Sequence, residues 1–326
     1  MHQALPTVFS EERRRRHKLG NLLHSLLLLA GMLAILGACA WAIWGAEGLL
    51  WAVIAGTLTL MLTPSVAPEW VMRMYRAVPL RPQDASDLYG LLQNLAARAG
   101  LERLPRLYYV PSRLLNAFAV GSRDAAAIAV TDGLLRTLTP RELAGVLAHE
   151  LSHVRNNDLW IMSLADLLSR LTSLLSWLGQ FLLILNLPAL LMGGVAVPWL
   201  LVLVLIFAPT LMALLQLALS RAREYDADLD AATLTRDPRG LASALAKLDR
   251  LQGRYWEEIL LPGRRMPEPS LLRTHPPTEE RIRRLLALAE DDGPLPPPLP
   301  EPAFRVPRHA AILPVGPRWR WPGVWY

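Results

Sequence analysis

AHELSHVRNND, residues 148–158, places two histidines four positions apart, with a glutamate directly after the first. On a helix that spacing projects His149 and His153 from one face, with Glu150 about 100° round from His149. The start of such a helix is well marked. Thr139 stands where a cap belongs, Pro140 takes the first helical position and Glu142 can complete a capping box. Leu143, Val146, Leu147, Leu151 and Val154 then form an apolar stripe. HELSH is the H-E-x-x-H pattern, in which both imidazoles reach one Zn²⁺ while the glutamate acts as base toward a water activated by the metal. Five residues can match by chance, so the context has to decide.

A catalytic zinc needs a third protein ligand and one open position. The extended pattern that supplies a third histidine is absent, since Asn156 and Leu159 stand where Gly and His are required. Of the other histidines, His2, His17, His24, His275 and His309, only His275 falls in a segment expected beside the site. Cys39 is the single cysteine, which excludes both a disulfide framework and a Cys-based metal site. Carboxylates remain. In REYDAD, residues 223–228, Glu224 and Asp228 share a helical face, so one can bind the metal while the other holds a ligand histidine by its second nitrogen.

The surroundings of this motif are those of a membrane protein. Of 326 residues 52% are hydrophobic, and the segments 22–44, 48–68 and 171–220 carry no Asp, Glu, Lys or Arg. The first two are each long enough to cross about 30 Å of hydrocarbon, and the third holds two spans joined by a turn near Asn186 to Pro198. All 34 Lys and Arg lie outside these segments, so the positive-inside rule puts the three charged stretches in the cytosol and both hairpin turns outside. The net charge of +6 then needs no nucleic acid, because basic residues beside anionic headgroups account for it. LGAC at 36–39 resembles a lipoprotein cleavage box, but apolar sequence continues past Cys39 into a second span.

Between the two hairpins DASDLYGLLQNLAARAG reads as a helix closed by Gly100, and RLYYV, NAFAV and AAIAVT read as three strands with a hairpin between the last two. Beyond the second hairpin, helices are expected near 240–251 and 277–289. The Pro-rich stretch that follows is expected to be mostly disordered.

Taken in order, PSRLLNAFAVG, TDGLLRTLTPRELAGVLAHELSHVRNND, a hydrophobic hairpin, SRAREYDAD and THPPTEERI resemble the HtpX-type membrane-bound zinc metalloproteases, relatives of the CAAX prenyl proteases. The resemblance covers roughly residues 45–290. It implies one Zn²⁺ per chain held by His149, His153 and Glu224, with Glu150 as catalytic base, which leaves Asp228 on the same helical face to hold a ligand histidine. It also implies that Asn116, Ala117, Phe118 and Ala119 form an edge strand along which substrate pairs, and that His275 can stabilise the oxyanion. The implied activity is an endopeptidase of a bacterial-type inner membrane, cutting misfolded or damaged membrane proteins at the cytosolic face.

The expected architecture is a mainly α membrane protein with four transmembrane helices and a cytosolic α+β zincin domain bearing a small antiparallel sheet. A basic N-terminus, 1–20, precedes a first transmembrane hairpin, 21–68, and a first catalytic part, 69–170. A second hairpin, 171–219, a second catalytic part, 220–290, and a tail, 291–326, complete it. Two rivals carry other expectations. A CAAX-type processing enzyme would bring more spans, and a membrane scaffold with a structural zinc would have no use for Glu150.

Overall fold

The computed structural model describes residues 11–62, 68–185, 187–193, 199–260 and 277–291; the expected disordered tail lies almost wholly outside them. Among the described residues three helices are long and apolar enough to cross a membrane by length and composition. They are α1 (Glu11–Leu62), through its stretch Leu19–Leu58, α6 (Asp158–Leu185) and α8 (Trp199–Thr235). They pack together through Met32, Leu36, Ala165, Leu168, Met212 and Leu219, and around Cys39 with Leu205 and Ala208. Their outer faces leave Trp177 75% and Leu200 73% exposed. An apolar surface of that extent is suited to lipid rather than water.

The first of these helices is broken. Trp44 and Gly45 leave helical geometry, and Gly45 has φ 61° and ψ −142°, a conformation open essentially to glycine alone. The chain doubles back there, bringing Gly48 against the carbonyl of Ala40 and Gly37 against Leu49. A continuous helix would hold those pairs about 12 and 18 Å apart. A methyl group at residue 48 would collide with the Ala40 backbone, so glycine permits the close approach.

Helix α8 contains Pro209, which has no N–H, so the carbonyl of Leu205 four residues earlier loses its helical donor. Ser176 of α6 replaces it, its hydroxyl donating to that carbonyl. Gln180 Nε2 donates in turn to Ser176 Oγ at 3.0 Å, and Gly179 has no side chain to obstruct Leu205. Ser176→Ala should therefore lower stability by about 1 kcal/mol, because a carbonyl in an apolar environment is left without a partner. In a Pro209→Ala background the loss should vanish, since the helix then supplies its own amide. Thermal unfolding in detergent of the single and double variants measures this, and equal losses in both backgrounds would contradict the pairing.

The remaining elements are α2 (Pro68–Met74), β1 (Val78–Pro79), α3 (Ser86–Ala99), β2 (Arg106–Val110), β3 (Ala117–Ser122), β4 (Ala125–Thr131), α4 (Asp132–Thr137), α5 (Pro140–Arg155), α7 (Leu187–Leu191), α9 (Pro238–Leu260) and α10 (Thr278–Asp291). The strands form one sheet in the order β1-β2-β4-β3. The sheet is mixed rather than antiparallel: β3 and β4 make the expected hairpin, but β2 and β4 run parallel. The cause lies in AAAIAVT, whose residues from Ala126 onward are all buried. A strand apolar on both faces belongs at the centre of a sheet, so β4 inserts between β2 and β3 and leaves β3 outermost.

Helix α5 lies on one face of this sheet and shares a core with α3, α9 and the C-terminal part of α8, among them Leu92, Ile128, Leu147, Leu151, Ala231 and Leu241. Its start is the expected capping box, with the Thr139 N–H donating to Glu142 Oε2 at 2.8 Å and the Thr139 hydroxyl accepting from the Glu142 N–H. Glycine at position 100 closes α3 in the left-handed conformation, as expected. The boundaries at 170 and 219 fall inside α6 and α8, which run on without a break from the apolar bundle into the body that holds HELSH.

Candidate metal centre

Helix α5 presents His149 and His153 from successive turns, and α8 brings Glu224 opposite them. His149 Nε2 and His153 Nε2 lie 3.2 Å apart. Glu224 Oε2 is 3.4 Å from His149 Nε2, and Glu224 Oε1 is 3.8 Å from His153 Nε2. Bonds of about 2.0–2.1 Å in a tetrahedron put neighbouring donor atoms about 3.3 Å apart. The three groups therefore already stand near the spacing of three corners of a metal's coordination shell. Two imidazoles and one carboxylate are also the donor set of catalytic sites that keep a fourth position open, so these residues fit a metal ion.

The other ring nitrogens are held from behind. His153 Nδ1 lies 2.8 Å from Asp158 Oδ2. A carboxylate only accepts, so Nδ1 carries the proton and Nε2 turns its lone pair toward the site. His149 Nδ1 is 3.0 Å from Asp228 Oδ1. Asp228 is gripped by Arg281 of α10, whose Nε and Nη2 each donate to it at 2.7 Å, while Arg281 Nη1 lies 3.1 Å from Glu224 Oε2. Of the two REYDAD carboxylates, Glu224 stands among the facing donor atoms and Asp228 behind His149.

Two residues of this cluster, Asp158 and Arg281, escaped the sequence. Asp158 had a signal: it follows His153 by five residues, immediately after the Asn pair whose second member, at φ 56°, turns α5 into α6. A ligand histidine usually donates its second N–H to a carboxylate, and this was the nearest one downstream. Arg281 had none beyond the need of a buried Asp228 for a countercharge.

Glu150 is partly exposed at the edge of the group. Burial raises its pKa above the ordinary carboxylate range, against the opposing pull of His149, His153 and the Ala119 backbone N–H that hydrogen-bonds to it. Ala117, Phe118 and Ala119 lie on β3, one of the two outer strands of the sheet. Asn116 precedes it, its backbone held to Thr131 by an N–H to the hydroxyl and by a carbonyl that accepts from both the Thr131 N–H and hydroxyl. Phe118 points away from α5, its ring 4.9 Å from that of Tyr75. His275 lies outside the described residues.

Burial works against charge on His149, but Asp228 and Glu224 overcome it and hold its pKa at about 10 without metal. The imidazolium must lose its proton to become a ligand, so metal uptake between pH 7 and 9 should release at least about one proton per ion. Affinity should rise with pH by about tenfold per unit in that window and level off above the His149 pKa. Calorimetric titration in buffers of different ionisation enthalpy counts the protons; none released would show His149 to be neutral beforehand.

Residues 82–289 match the sequence profile of Peptidase family M48. The chain belongs to this family. This M48 peptidase is 35% identical over 294 residues to a protease HtpX homolog of Desulfatibacillum aliphaticivorans, covering 84% of this chain and 92% of the relative. It is 36% identical over 296 residues to a protease HtpX homolog of Syntrophobacter fumaroxidans, covering 83% and 100%. Its fold is similar to that of Ste24p from S. mikatae, known from a crystal structure, with a TM-score of 0.50 at 19% identity, covering 83% of this chain and 66% of that one. This M48 peptidase is thus a membrane metalloprotease.

Proposed function

We propose that this M48 peptidase is a zinc endopeptidase of a bacterial-type inner membrane that hydrolyses misfolded or damaged membrane proteins at the cytosolic face. The observation that carries the proposal is the convergence of two imidazole nitrogens and the Glu224 carboxylate within a metal's reach of one another, the carboxylate on a helix running unbroken from an apolar span into the site. A site so close to the end of a span favours substrates that are themselves in the membrane. The break of α1 at Gly45 supports a reading in which its two arms, with α6 and α8, make four crossings, and the distribution of Lys and Arg favours a cytosolic site.

His149, His153 and Glu224 would hold the zinc. Bound there, zinc supplies a Lewis acid that polarises the scissile carbonyl and acidifies water. Glu150 accepts the proton of the attacking water and passes it to the leaving amine, while the Ala119 N–H fixes the direction of its carboxylate. The outer edge of β3, from Asn116 to Ala119, offers main-chain groups to an extended peptide, which favours unfolded substrates and loose sequence selectivity. His275, assigned by resemblance, donates to the oxyanion.

The test is elemental analysis of detergent-purified protein alongside cleavage of casein as an unfolded substrate, before and after chelation. One zinc per chain, with cleavage lost on chelation and restored by zinc, is the expected result. Zinc without cleavage would instead favour a scaffold.

A further inference from the structure

A line of polar groups runs from His153 and Asp158 to the first membrane helix, through Arg223, Asp226 and Asn21, which the chemistry above does not use. The Nδ1–H of His153 donates to Asp158 Oδ2 at 2.8 Å. The other oxygen of Asp158 accepts from Arg223 Nη1 at 3.1 Å. Arg223 Nη2 lies 3.4 Å from Asp226 Oδ2, and Asp226 Oδ1 accepts from Asn21 Nδ2 of α1 at 3.1 Å. Asp158 is 2%, Arg223 6% and Asp226 5% exposed. Four helices, α5, α6, α8 and α1, are joined by these contacts, and α1 and α8 pack side by side.

Each link depends on the next. A buried carboxylate is costly without a countercharge, so Arg223 fixes the side chain of Asp158 in the position that orients His153. One guanidinium is shared between two buried aspartates, and its own position is set by how Asp226 is held. Asp226 in turn takes a hydrogen bond from Asn21, at the very start of the uncharged run of α1. Removing the Asn21 donor changes how Asp226 is held, and with it how the guanidinium is shared between Asp226 and Asp158.

We infer that Asp158 and Arg223 are positioning residues for His153, and that Asn21 makes the first membrane helix a working part of the metal centre. The chain acquires its full metal affinity only once α1 is seated against α8. This inference rests on His153 being a metal ligand, as proposed above.

The test uses the full-length protein in detergent and three readouts: zinc affinity by competition with a chromophoric chelator, the visible absorption of the cobalt-substituted protein, and thermal unfolding without metal. Asp158→Asn should lower zinc affinity by about 10–100-fold, the usual cost of losing a ligand's outer partner. Asn21→Leu should lower it several-fold and shift the cobalt spectrum in the same direction. Added to Asp158→Asn, it should cause no further loss, because the line is already cut. Should Asn21→Leu fail to insert, Asp226→Ala removes the acceptor of the same link from the other side. Asn21→Leu that costs thermal stability but keeps wild-type affinity and spectrum overturns the inference, and so do losses that multiply independently. A wild-type protein that binds no zinc would instead remove the metal assignment itself, so the two failures are distinguishable.

Discussion

Glu150→Gln is expected to bind zinc with the same stoichiometry as the unaltered chain and to cleave unfolded protein about 10²–10⁴-fold more slowly. The asymmetry follows from where Glu150 stands. The three facing donors come from His149, His153 and Glu224, so the Glu150 carboxylate is not needed to hold the ion. Glutamine has the same shape, and its carbonyl can still accept from the Ala119 N–H, so the helix and the strand beside it lose nothing. What it cannot do is accept a proton from water. Zinc content by elemental analysis and initial rates on casein separate the two effects. Undiminished cleavage would end the assignment of Glu150 as base, and a parallel loss of zinc would place it among the ligands.

The parts of this site legible in the sequence are those whose chemistry is local to one helix. A capping box, an apolar stripe and two histidines four apart are all contained within residues 139–155, and α5 forms as that pattern dictates. The pairing of β3 with β4 was equally local, because a short turn sequence joins them. What the chain did not reveal was set by contacts between distant residues. The parallel pairing of β2 with β4 depends on which strand is buried on both faces, and that was hidden in a run of small residues. Arg281 reaches Asp228 across 53 positions, and Asn21 reaches Asp226 across 205. No periodicity marks such partners, since only the folded arrangement of α1, α8 and α10 brings them into reach. The Ser176 hydroxyl is a middle case: Pro209 announces an unsatisfied carbonyl at Leu205, but not which helix supplies the donor.

Glu224→Ala and Asp228→Asn should part company, although the two residues lie on one face of one helix. Asp228 stands behind His149 and behind the Arg281 that touches Glu224, so replacing it removes an outer partner and should weaken zinc binding by about 10–100-fold. Glu224 contributes one of three donor atoms, so its removal should cost well beyond that range and abolish cleavage with it. The structure also predicts that this loss is not a loss of fold. Arg281 keeps both of its hydrogen bonds to Asp228 when Glu224 is gone, so α10 stays docked and no buried guanidinium is stranded. The reverse does not hold, for in Asp228→Asn the same guanidinium loses its principal countercharge, and the metal-free protein should unfold at a lower temperature. Zinc affinity and metal-free stability should therefore rank the two variants in opposite orders. A Glu224→Ala variant that is also the less stable without metal would mean that Glu224 acts on the metal through the fold, and a larger loss of zinc affinity in Asp228→Asn would move the third ligand to Asp228.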